Sequence, residues 1–98
     1  MTNYLAVVPV NFTDGPSKDY LSKLNDALGK YDPRGAEGQF FWRRNDAGTI
    51  EIRVVIEAAD EEKAKDKARE TVNSALLDTG HTVATAKVFV DGIEVSAA

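Results

Sequence analysis

Side chains able to do covalent or acid-base chemistry are scarce in this sequence, which holds one histidine, His81, and no cysteine. Without a thiol there is no disulfide, no zinc-thiolate centre, no iron-sulfur ligand and no cysteine nucleophile. The serines stand without a neighbouring base, so no nucleophile-base pair can be drawn from the string. His81 follows Gly80 at the expected end of a helix, where the negative end of the dipole favours an imidazolium. A structural role is expected there rather than general-base catalysis. No catalytic residue is assigned and no cofactor is expected, so a non-enzymatic role is the first expectation and an enzyme the alternative.

Metal and phosphate sites fare no better. His81 has no ligand partner at a useful spacing, and Asp60, Glu61 and Glu62 are successive residues that diverge around a helix. They read as a cap and dipole partners, so no metal ligand is assigned. Gly35-Ala36-Glu37-Gly38 has the outline of the Gly-X-X-Gly loop that clamps nucleic-acid backbones, but Glu37 places a negative charge where a phosphate would lie. Lys63, Lys65, Lys67 and Arg69 alternate around their helix among Glu62, Asp66 and Glu70, the pattern of a solvated face with exposed ion pairs.

The elements that hold these residues follow from hydrophobic spacing. Residues 4–10, Tyr-Leu-Ala-Val-Val-Pro-Val, are apolar on both faces of a strand and predict an interior place in a sheet, with Pro9 at the end. Asp14 or Ser17 is the expected cap of a helix reaching about Lys30, whose apolar stripe is Tyr20, Leu21, Leu24, Ala27, Leu28 and Tyr31. Residues 32–38 form a loop broken by Pro33 and two glycines.

Residues 39–44 and 49–58 predict a hairpin. The second strand alternates Ile50, Ile52, Val54 and Ile56 against Glu51, Arg53, Val55 and Glu57. Asn45-Asp46-Ala47-Gly48 suits a three-residue loop closed by Asn45 and Thr49. This register pairs Trp42 with Ile52 and Phe40 with Val54 on the core face, and Arg43 with Glu51 and Phe41 with Arg53 on the other. A slip by one residue would bury Arg43 and expose Trp42.

Asp60 caps the second helix, Ala64, Ala68, Val72, Ala75 and Leu76 form its stripe, and Gly80 ends it. A last strand is expected over 82–90, with Asp91-Gly92 turning a short strand, 93–95, back against it. Residues 96–98 are expected to fray.

Ninety-eight residues make one domain, 1–98, with room for a single core. The formal charge of -4 serves solubility and argues against non-specific nucleic-acid binding. Nothing reads as a secretory signal or a spanning helix, so a soluble, cytoplasmic protein is expected. The β-α-β-β-α-β order resembles the ferredoxin-like superfold. The expectation is an α+β two-layer sandwich with an antiparallel sheet of order 4-1-3-2 and both helices on one face. The likeness is architectural and implies no iron.

Such a sheet leaves one face uncovered, and the register puts Phe41, Arg43, Glu51, Arg53 and Val55 on it, beside either Leu5 and Val7 or Ala6 and Val8. An open, partly apolar face of this kind marks an interaction site once it exceeds a few hundred Å². The expected function is a small non-enzymatic interaction or accessory protein that partners itself as a homodimer, or another protein, through these residues. Single-stranded RNA is an alternative, because Phe41 between Arg43 and Arg53 offers a stacking ring. Against it stand the acidic charge, the single sheet aromatic and the missing RNP1 pattern. A second alternative is a cofactor-free enzyme of the dimeric α/β-barrel type with a small-molecule pocket between subunits. The plain reading is a monomer whose Phe41 is shielded by Arg53.

Overall fold

The computed structural model describes residues 2–13, 15–32, 41–44, 49–81 and 85–97. In chain order the elements are β1 (Thr2–Phe12), α1 (Lys18–Gly29), β2 (Trp42–Arg44), β3 (Ile50–Ala58), α2 (Glu61–Asp78), β4 (Ala86–Val88), a 3-10 turn (Val90–Gly92) and β5 (Glu94–Ala97). The five strands form one open antiparallel sheet in the order β2-β3-β1-β4, with β5 also paired to β1.

Period-two alternation decides which sheet face is buried. Ala6, Val8, Val10 and Phe12 of β1 and Ile50, Ile52, Val54 and Ile56 of β3 share one core with Leu21, Leu24 and Leu28 of α1 and the whole predicted stripe of α2. Both helices therefore lie on that face. Each fully buried aliphatic side chain contributes about 1.5–3 kcal/mol relative to exposure, so inverting any of these strands would forfeit several such terms at once.

Local chemistry sets the helix ends. Ser17 accepts a hydrogen bond from the Tyr20 amide, and Asp60 Oδ1 accepts one from the Lys63 amide at 2.9 Å. Of the two caps considered for α1, Ser17 is the one seen. Asp14 lies outside the described residues. Gly80 adopts φ +93°, a left-handed conformation that returns the His81 amide to the Leu76 carbonyl (2.9 Å) and its own amide to Leu77 (3.1 Å). These bonds satisfy carbonyls that the end of α2 would otherwise leave bare.

β1 and the C-terminal segment depart from expectation. Pro9 does not end β1, which continues to Phe12. The Pro9 carbonyl accepts from the Phe89 amide at 3.0 Å, so the proline nitrogen also faces the edge carrying β4 and β5. That neighbour is interrupted at this point. Val10 pairs with Val88 and Val7 with Glu94, so β1 advances three residues while its partner advances six. The three extra residues are the 3-10 turn, and the ladder loses little by having no donor there. A Cβ on Gly92 would come 2.9 Å from Pro9 Cγ, which shows how closely the turn packs on the proline ring.

After the turn the chain resumes the same side of β1. β5 thus pairs with β1 rather than folding back on β4 as a hairpin, and Ser96 and Ala97, expected to fray, are in its ladder opposite Leu5 and Tyr4. Among the described residues of the last predicted strand, Ala86–Val88 form β4 and Val90 belongs to the turn. Residues 82–84 lie outside the described residues, as do the hairpin loop 45–48, Phe40 and the connection 33–38.

Candidate functional site

Register builds the uncovered face row by row. Val7 lies opposite Arg53 on one side and Glu94 on the other, Leu5 opposite Val55 and Ser96, and Pro9 opposite Glu51. Arg43 extends the Pro9 row through its pairing with Glu51. The phase of β1 is thereby decided: Leu5, Val7 and Pro9 form a half-buried apolar strip on the open face, while Ala6 and Val8 are wholly buried beneath the helices.

Charge surrounds the strip. Arg43 Nε stands 3.2 Å from Glu51 Oε1, with the Arg43 side chain 63% exposed and that of Glu51 26% exposed. Arg53 and Glu94, each one strand away from Val7 on opposite sides, are exposed. Trp42 pairs with Ile52 as the register required and packs, half-buried, against the core.

Phe41 is the correction. It was expected on the open face opposite Arg53, and the Arg53 amide does donate to the Phe41 carbonyl at 2.7 Å. Its side chain, however, is 0% exposed and belongs to the core. The physical reason is its place just outside β2. Its amide donates to Asn25 Oδ1 of α1 at 2.7 Å, so pleat alternation no longer binds it. Neither the RNA-stacking reading nor an Arg53 shield can use this ring.

Val55 has the expected face but little surface, being 9% exposed. Its amide donates to Asp32 Oδ2 at 2.8 Å. Asp32 is itself 5% exposed. Lys67 Nζ reaches the Glu57 carbonyl at 3.0 Å on the same margin of β3. A carboxylate and an ammonium thus satisfy backbone groups of β3 beyond its described pairing with β2. Neither contact was anticipated.

The contributors missed on the open face are Pro9, Glu94 and Ser96. The alternation of Ile93 and Val95 with Glu94 and Ser96 carried the face of β5, but its partner strand was not readable locally.

His81 sits elsewhere, at the end of the sandwich. Its ring meets Tyr20 edge-on with centroids 4.4 Å apart and Phe12 at 5.2 Å, and Nδ1 lies 3.1 Å from Thr85 Oγ1. The Tyr20 hydroxyl pairs with Thr79 Oγ1 at 2.7 Å. Burial pushes the Tyr20 phenol above its ordinary value, partly offset by that hydrogen bond. The cluster ties α1, α2 and β1 together.

Elsewhere the described residues line open clefts. One of about 370 Å³ between α2 and the 3-10 turn is lined by Glu62, Lys65, Asp66, Arg69, Val90 and Ile93, a mixture of opposite charges at its rim. Among the described residues no buried side-chain nitrogen or oxygen lacks a hydrogen-bond partner, so no orphaned group points to a ligand. No helix of these residues is long and apolar enough to cross a membrane. Comparison with protein-family models, with curated proteins and with solved structures finds no match to the chain, so the open sheet face is the feature from which function must be argued.

Proposed function

We propose that this protein is a small non-enzymatic interaction or accessory module that associates with a second copy of itself through the open face of its sheet. The observation that carries the reading is the strip Leu5, Val7 and Pro9, uncovered by either helix and bordered by Arg43, Arg53, Glu51 and Glu94. Apolar surface surrounded by charges of both signs is self-complementary without any dedicated partner.

The footprint suits such a pairing. Strand positions lie about 4.8 Å apart and residues about 3.3 Å apart along a strand, so the face is of the same order as the roughly 800 Å² per partner of a specific interface. In the same reading the architecture is ferredoxin-like. From the β4 edge the order runs β4-β1-β3-β2, and β5 is the continuation of a fourth strand split by the 3-10 turn. That arrangement makes β1 an interior strand, where a contact would be more fully desolvated than at an edge.

Sedimentation over a wide concentration range tests the proposal, with wild type and Val7→Glu compared. Wild type is expected to shift from monomer to dimer as concentration rises, and Val7→Glu to stay monomeric while remaining folded. A wild type that stays monomeric at the highest attainable concentration overturns the reading.

A further inference from the structure

The order of charges across the face points to one geometry for the pair. We propose that its two-fold axis runs along β1, so that Arg53 of each protomer meets Glu94 of the partner subunit on either side of a shared apolar seam. This rests on the self-association proposed above.

The central row of the face reads cation, apolar, anion, because Val7 lies opposite Arg53 of β3 and opposite Glu94 of β5. A half-turn about a line along β1 exchanges the two sides of that strand while keeping each row at its own height. It stacks Leu5, Val7 and Pro9 on the same strip of the second copy and places both opposite-charge pairs in register.

Other axes do worse. A half-turn about a line across the strands through the Val7 row sets Arg53 on Arg53 and Glu94 on Glu94, two like-charge contacts. An axis displaced to β3 also brings the Arg53 side chains together and moves the strip off itself. Stacked sheets lie about 10 Å apart, a gap that an arginine and a glutamate can bridge end to end. Aligned sheets are rotated by about 30°, but rows near the axis stay close to register.

The neighbouring rows agree with this geometry. The Leu5 row sets Val55 towards the small Ser96 of the partner subunit. In the Pro9 row, Glu51 already holds Arg43 at 3.2 Å, so its charge is met within its own chain. The cross-pair that determines orientation is therefore Arg53 with Glu94. Both residues are exposed, so reversing their charge leaves the core intact.

A charge-reversal exchange tests the axis. Arg53→Glu and Glu94→Arg each convert two attractive contacts into two repulsive ones, and each variant alone should self-associate about tenfold more weakly or worse. Mixed in equal amounts they should form a heterodimer of near wild-type affinity. The chain carrying both reversals should pair with itself equally well, and its pairing should weaken as salt rises. If wild type dimerises but neither the mixture nor the doubly reversed chain recovers affinity, the axis is wrong while the use of the face stands. A monomeric wild type overturns both.

Discussion

Replacing Phe41 with alanine separates the two places its ring can occupy. The ring is wholly buried and belongs to the core shared by the two helices and the sheet. Removing it forfeits the transfer free energy of the ring and leaves a cavity at the margin of the sheet beside α1. Such truncations cost about 3–5 kcal/mol. A domain of this size has about 5–15 kcal/mol in total, so the variant retains only part of its stability.

Urea unfolding followed by circular dichroism reads the loss. With a slope of about 1–3 kcal/mol per molar, the midpoint should fall by about 2 M, and the melting temperature by about 15–30 °C. Phe41→Leu keeps most of the apolar volume and should cost about 1 kcal/mol, which leaves a folded variant to measure. Working at several protein concentrations separates folding from association, because a core defect lowers the midpoint at every concentration. A cost below about 1 kcal/mol for Phe41→Ala, with an effect confined to self-association, would mean that the ring lies on the open face. Burial of Phe41 beside α1 would then be refuted, and with it the part of Asn25 in turning the ring inward.

Asp32→Ala strips the acceptor from the Val55 amide of β3 and should cost about 1–3 kcal/mol in chemical denaturation; an unchanged midpoint would show that this buried bond contributes nothing to stability. Burial raises the Tyr20 phenol above its ordinary value of 10.0, so the unfolded chain gives up this proton first as pH rises. The contribution of this group to stability is therefore complete below pH 10 and declines as pH climbs from there through the higher folded value. Denaturation midpoints across this alkaline range should fall less steeply for Tyr20→Phe than for wild type, and parallel curves would exclude the linkage.

How much of the protein was legible in its sequence depends on the range over which each feature is decided. Ser17, Asp60 and Gly80 act within one helical turn, and each performs the capping part that its type predicted. The stripe of α2 and the Trp42-Ile52 and Arg43-Glu51 pairs were equally readable, because helical spacing and strand alternation confine a residue to one face. Alternation in β1 was silent on phase, since both faces carry apolar residues. Only the pairing of that strand settled that Leu5 and Val7 face outward.

Phe41, Pro9 and the C-terminal segment were decided at longer range. Asn25, sixteen residues earlier, takes the Phe41 amide and frees the ring to enter the core. Pro9 was expected to stop a strand because it donates no hydrogen bond, yet it persists where the neighbouring strand has stepped away into a 3-10 turn. Periodicity along the chain records which face a side chain prefers, whereas the choice of neighbour is a competition among segments far apart in sequence. By itself, the sequence determined two capped helices, the inward face of β3 and the absence of a cysteine thiol. The tertiary structure alone decided that β5 lies along β1, bringing Glu94 level with Arg53, because hydrogen-bonding partners across a sheet are selected in space.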